Sequence, residues 1–166
     1  TTVAVTLAAA LASGGWKVAL ADADPQKSAT RWLKRRPGHA AAVAGLDWTR
    51  APGPVPKGIQ WLVIDAPGAL DSGEAKALVA EATAVLVPVL PSVFDEEAAK
   101  RFLKDLEALK RVRKGKAGLH LIANRVRPRG RAVARQEAFF ERLGVPPLAR
   151  IADRAAYDDL AAEGLT

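Results

Sequence analysis

KVALADADPQKSATRW, residues 17–32, decides the architecture. KVALAD is a short apolar run closed by a carboxylate. It reads as a strand buried on both faces of a parallel sheet. Pro25 and Gln26 interrupt the run, and SATRWLKRR, residues 28–36, reads as a short helix stopped by Pro37 and Gly38. Asp22 and Asp24 thus fall where a strand ends and a helix is about to begin. In open α/β sheets, ligands bind outside the carboxyl ends of the strands.

The same alternation runs along the chain. TVAVTLAAALAS, residues 2–13, has the Ala and Leu content of a buried helix, ended by Gly14 and Gly15. Residues 37–58 form a long connection rich in Pro, Gly and Ala, with LDWTR as a possible strand inside it. QWLVID (60–65), AVLVPVL (84–90), LHLIAN (119–124) and LARI (148–151) read as strands. AKALVAEA (75–82), RAVARQEAFFERLG (131–144) and AAYDDLAAEG (155–164) read as helices. DEEAAKRFLKDLEALKRV (95–112) reads as one long amphipathic helix, with Ala98, Phe102, Leu106 and Leu109 on its apolar stripe and Asp95 as its cap. The expected fold is α/β: a doubly wound, mainly parallel sheet with helices on both faces, forming a single domain over residues 1–166.

Composition narrows the function classes. With 49% apolar and 26% charged residues the chain is globular rather than disordered. It has no cysteine, which removes disulfides, thiolate metal sites and Fe–S clusters, and its two histidines are far apart in sequence. The apolar runs are too short to span a bilayer, so a cytoplasmic protein without a membrane partner is expected. The formal net charge of +7 favours an anionic partner such as nucleic acid or nucleotide.

The strand ends collect the chemistry: Asp22, Asp24 and Asp65, then Asn124 and Arg125, then Asp153 and Arg154. Carboxylates gathered at neighbouring strand ends would repel one another unless a cation sits among them, and Mg²⁺ on nucleotide phosphates is the usual answer. The start of the chain fits. A P-loop is a strand, then G-x-x-x-x-G-K-[ST], then a helix. Thr1-Thr2 before an Ala-rich helix suits the positions directly after the Lys of such a loop.

From these residues the chain resembles the ParA/MinD-type ATPases with a deviant Walker A motif, above all the ParA-like partition ATPases. ADADPQ is similar to the D-x-D-P-Q that comes after the family's first helix and strand. WLVIDAPG resembles the Walker B strand. VLVPVLPSVFD, LIANRV and GVPPLARIADRAAYDDLAAEG are similar to its later strands and loops, so the likeness covers essentially the whole chain. The family's first strand and its K-G-G-x-G-K loop lie before the position matched by Thr1, and residues 1–166 are expected to be inactive without them.

The resemblance implies a role for each of these residues. Thr1 would bind Mg²⁺ through its hydroxyl, and Thr2 would hold the α-phosphate. Asp24 would position the attacking water, as the catalytic carboxylate. Asp22 and Asp65 would support Mg²⁺ through water. Asn124 and Arg125 would meet adenine, with Asp153 and Arg154 in the loop that closes over the base. It further implies an ATPase that dimerises with ATP, binds DNA non-specifically, associates with the nucleoid, answers to a ParB-like or cargo-adaptor activator, and segregates or positions a plasmid, a chromosome or a protein cargo.

Basic residues cluster at Lys110, Arg111, Arg113, Lys114 and Lys116, and again at Arg125, Arg127, Arg129, Arg131 and Arg135. Few aromatics interleave, so phosphate contact without base stacking is expected, with Arg127, Arg129 and Arg131 as the candidate DNA contacts. Two alternatives compete: a small-molecule ligase of the dethiobiotin synthetase type on the same fold, and a catalytically dead member of the family. The absent cysteines argue against iron-protein relatives. Asn124-Arg125-Val126-Arg127 lacks the Asp of a guanine motif. The closing AAEGLT does not resemble a MinD-type membrane helix.

Overall fold

The computed structural model describes residues 1–68 and 73–166. In chain order the elements are α1 (Thr2–Ser13), β1 (Val18–Asp22), α2 (Ser28–Arg35), β2 (Val43–Asp47), β3 (Trp61–Asp65), α3 (Gly73–Glu81), β4 (Ala84–Val89), α4 (Val93–Glu107), α5 (Lys110–Arg113), β5 (Gly118–Val126), α6 (Arg131–Leu143), β6 (Ala149–Ala152) and α7 (Ala156–Ala162). They form two compact units, Thr1–Leu78 with Ala155–Thr166, and Val79–Arg154. Strand pairing is parallel in both, in the orders β2-β1-β3 and β4-β5-β6. The parallel α/β class is thus the one the alternating pattern predicts. No helix among the described residues is long and apolar enough to cross a membrane.

In the first unit β1 is central and buried along its whole length. Successive side chains of a strand point to opposite faces. Val18 and Leu20 accordingly pack with Val5, Ala8, Ala9 and Ala12 of α1 and with Ala29 and Trp32 of α2. Ala21 faces the other way, into a smaller cluster with Ala23, Trp48 and Leu78. Small residues on α1 let the helix lie close on the strand. Gly45 does the same for α2: a Cβ there would stand 2.9 Å from Leu33 Cδ1. The C-terminal segment is fastened to α2, where the Trp32 indole donates to the Leu165 carbonyl at 3.1 Å and the Arg36 guanidinium to the Gly164 carbonyl at 3.2 Å.

Several expectations are corrected. The strand in the 37–58 connection is Val43–Asp47 rather than LDWTR, because this stretch pairs in register with all of β1. The long helix is two pieces. Leu106 is its last fully buried residue, and Leu109 then turns extended at ψ 134 before α5. Its buried stripe is Glu96, Ala99, Leu103 and Leu106; of the expected stripe only Leu106 is buried, while Phe102 is half-buried and Ala98 exposed. Ser92 stands at its N-cap, so Asp95 lies in the first turn, where the helix dipole still favours a carboxylate. β5 continues through Asn124 and Arg125 to Val126, because β6 prolongs the pairing with Val126↔Ala152.

Candidate functional site

Three parallel strands of the first unit end on aspartate at one level, with Asp22 in register with Asp47 on one side and Asp65 on the other. The period of two places all three on the side where Val43, Leu20 and Val63 pack against α1 and α2. They do not share one environment. Asp22 is completely buried, and backbone satisfies it: Oδ1 accepts from the Asp24 N–H at 3.2 Å and Oδ2 from the Thr30 N–H at 2.7 Å. The second bond serves one of the unpaired N–H groups in the first turn of α2, as an N-cap side chain would. The side chain of Asp22 is therefore a tie between strand and helix. No group of three or more His, Asp or Glu side chains among the described residues could hold a metal.

Asp65 differs. It is buried at 4% exposure, its Oδ1 pairs at 3.1 Å with the terminal ammonium of Thr1, and its Oδ2 has no partner among the described residues. A buried carboxylate oxygen left without a partner is costly, which makes this the place where an external donor or ion fits. Mg²⁺ suits such a place: it takes oxygen ligands, uses one or two carboxylates, and keeps several waters or phosphate oxygens. The Thr1 hydroxyl and Asp65 Oδ2 are the groups available to it, with Asp24 on the neighbouring loop.

Asp24 is partly buried and opens a turn whose Gln26 N–H donates to its Oδ1 at 2.8 Å, while the Lys27 N–H donates to its carbonyl at 2.8 Å. Lys27 closes that turn in the left-handed conformation, φ 55 and ψ 37. Its ammonium meets Asp47 Oδ2 at 2.7 Å, and Thr49 donates to Asp47 Oδ1 from both its N–H and its hydroxyl. The Lys27 ammonium, ahead of the Thr49 donors, holds the Asp47 carboxyl well below the usual carboxylate range. Neither Lys27 nor Asp47 stands out in the sequence, since Asp47 lies in the stretch without a clear periodic pattern.

Thr1 and Thr2 border a cleft of about 400 Å³ shared with Arg31, Arg35 and Asp158. Arg31 is already engaged, donating to the Gln26 carbonyl at 2.6 Å and the Ser28 hydroxyl at 3.1 Å. The i, i+4 spacing of Arg31 and Arg35 in SATRWLKRR is the sequence signal for this cationic edge. A second cleft, of about 240 Å³, is lined by Ala23, Trp48, Pro52, Pro67 and Leu78 among others.

The second unit carries the remaining candidates. Arg125 has φ 53 at a register irregularity between Ala123 and Val126, and its N–H donates to Asn124 Oδ1 at 3.0 Å. A β-bulge with a non-glycine residue in the left-handed region is strained, and such strain concentrates at binding and catalytic sites. Asp153 accepts from the Arg127 guanidinium at 2.8 Å, and its N–H donates to the Val126 carbonyl at 3.0 Å. Arg154 is exposed. Arg127 is therefore already committed in part to Asp153, whereas Arg129 and Arg131 are exposed at the entry to α6. Arg135 does not belong to the free basic face. It donates to the Pro91 carbonyl at 2.9 Å and pairs with the buried Glu96 at 3.4 Å. The side chain of Arg111 lies outside the described ones.

Comparisons with known proteins identify the family and the fold. The family model for the CobQ/CobB/MinD/ParA nucleotide binding domain matches residues 1–166. The chain is 34% identical over 177 residues to a maintenance of carboxysome distribution protein A from Gloeobacter kilaueensis, covering 100% of this chain and 76% of that one. It is 29% identical over 173 residues to the protein of the same name from Halothiobacillus neapolitanus, covering 100% of this chain and 79% of that one. In fold it is similar to the MinD cell division protein of Aquifex aeolicus (TM-score 0.74, 19% identity, 99% of this chain and 81% of that one). It is likewise similar to a Borrelia burgdorferi plasmid-partition-type protein solved with AMPPNP (TM-score 0.71, 17% identity, 98% of this chain and 83% of that one). The chain thus belongs to the CobQ/CobB/MinD/ParA nucleotide-binding family, as a ParA/MinD-type member of it.

Proposed function

We propose that residues 1–166 form the Mg-ATP-handling part of a ParA-type ATPase that pairs with a second copy when ATP is bound, holds DNA without reading its sequence, and positions a cargo. The observation that carries this is the orphaned Asp65 Oδ2, buried at the end of β3. A parallel α/β unit with that oxygen, a threonine hydroxyl at the start of a helix, and Asp24 on the next loop has oxygen ligands of the kind Mg²⁺ takes. The ion would neutralise phosphate charge. Thr1 and Asp65 would hold it, Thr2 would bind phosphate oxygen, and Asp24 would accept a hydrogen bond from the attacking water and orient it. Asp22 keeps the strand–helix junction in place. Asn124 and Arg125 would take the base, with Asp153 and Arg154 beside them.

The exposed Arg129 and Arg131 support non-specific phosphate contact, with Arg127 as a third cation when its pair with Asp153 opens. The relatives named for carboxysome distribution support a protein compartment as cargo ahead of a plasmid or chromosome, reached through an adaptor that plays a ParB-like role. A nucleoid-bound location goes with that reading.

The test uses the complete protein in which this sequence occurs. Purified protein should hydrolyse ATP, and should retard non-specific DNA with ATP but not with ADP. Asp24→Ala should hydrolyse at the background rate. An intact rate in Asp24→Ala, or no hydrolysis by the parent, overturns the assignment.

A further inference from the structure

We propose that the Lys27–Asp47 ion pair is a positioning device that holds the 24–27 turn in the shape presenting Asp24 to the nucleotide. The inference rests on the role given to Asp24 above and adds two residues to the machinery. Its starting point is a strained residue. Lys27 takes φ 55, a region that a side chain bearing a Cβ rarely occupies and that glycine would occupy freely. Strain of this kind persists only where the surroundings over-determine it.

The surroundings here are the end of β2. The Lys27 ammonium reaches Asp47 Oδ2 at 2.7 Å, and the other oxygen of Asp47 is fixed by the Thr49 hydroxyl at 2.6 Å and the Thr49 N–H at 3.1 Å. Asp47 is itself anchored by β2–β1 pairing, in register with Asp22. Lys27 is tied to Asp24 at the other end. Its N–H donates to the Asp24 carbonyl at 2.8 Å, next to the Gln26 N–H on Asp24 Oδ1. The chain of contacts therefore runs from a strand end, through an ammonium, to the backbone that orients the Asp24 carboxylate. A glycine at position 27 would adopt the same conformation without effort and would also leave it without effort. The lysine side chain supplies the tether.

The two side chains are half exposed, at 46% and 56%, so dissolved salt screens the tether. That gives a readout that a passive surface residue does not have. In the complete protein, Asp47→Asn and Lys27→Gly should each lower kcat for ATP hydrolysis by about two- to fivefold at low salt, with KM for ATP unchanged and only the small loss of melting temperature that a surface ion pair carries. The parent kcat should fall towards the variant value as salt is raised, while the variant kcat stays flat. Lys27→Arg, which keeps the cation, should behave as the parent.

A second measurement needs no activity. Backbone order parameters for residues 24–28 should fall from the rigid value of about 0.85 in the parent towards about 0.6 in Asp47→Asn. Unchanged order together with unchanged kcat overturns the proposal. Loss of order in Asp47→Asn, together with a parent that hydrolyses no ATP, keeps the tether and overturns the hydrolytic role of the turn.

Discussion

The Asp22 carboxylate accepts the Thr30 N–H at 2.7 Å across eight residues, joining the last residue of β1 to the first turn of α2. The aspartate that looks most like a metal ligand in the sequence is thus also a helix cap. Asp22→Ala removes the acceptor for two partly buried N–H groups, those of Asp24 and Thr30. Leaving them unpaired should cost about 2–4 kcal/mol, read as a lower midpoint in urea with an unchanged slope. Asp22→Asn keeps one acceptor oxygen and should cost about half as much.

Asp24→Ala separates from this cleanly. The residue is only partly buried and anchors a turn rather than a core junction. Its removal should change unfolding free energy by less than about 1 kcal/mol while lowering hydrolysis by roughly a hundredfold or more. Parallel denaturation and steady-state assays on both variants check the contrast.

Asp47 should show its tether in a pH titration. Its folded pKa is depressed, first by the hydrogen bond from the Lys27 ammonium and then by Thr49. The ion pair therefore contributes above the pKa of an unfolded aspartate and is lost as pH falls through the lower folded value. Carboxyl carbon shifts of Asp47 should stay those of the ionised form below the pH where an ordinary aspartate protonates. Lys27→Gly should move the midpoint upward.

Gly164→Ala tests the clasp between the C-terminal segment and α2. Gly164 has φ 72, and a Cβ there would run into the backbone of Arg35 and Arg36. No flexible group is there to yield. The substitution should cost about 2–4 kcal/mol from left-handed strain together with overpacking, and should detach the Leu165 carbonyl from Trp32. Thermal unfolding and the fluorescence of Trp32 report it.

The basic loop can be dissected by salt. Arg129 and Arg131 are exposed, whereas Arg127 shares its charge with Asp153. Arg129→Ala with Arg131→Ala should lower the slope of log K against log salt for DNA binding by about two. Adding Arg127→Ala should change it by less than one further unit. An equal step for each arginine would show that the Asp153 pair opens freely on DNA.

Much of this was legible in the chain itself. Short apolar runs such as VALAD and WLVID read as strands of a covered sheet, and their alternation with helices leaves parallel pairing as the consistent outcome; that VALAD is central and fully buried while WLVID ends its three-strand sheet with Trp61 exposed is the tertiary structure's decision. The order of the D-x-D-P-Q, Walker B-like and later segments identified the family, which the match over residues 1–166 establishes. Tertiary structure decided what the sequence pattern leaves open: which of several aspartates is spent on a backbone N–H, which oxygen is left without a partner, and which cations are already paired. Those outcomes depend on contacts between residues far apart in the chain: Lys27 with Asp47, Arg127 with Asp153, and Trp32 with Leu165. Hydropathy periodicity records which face of an element is buried. It carries no record of the partner that meets a polar atom there.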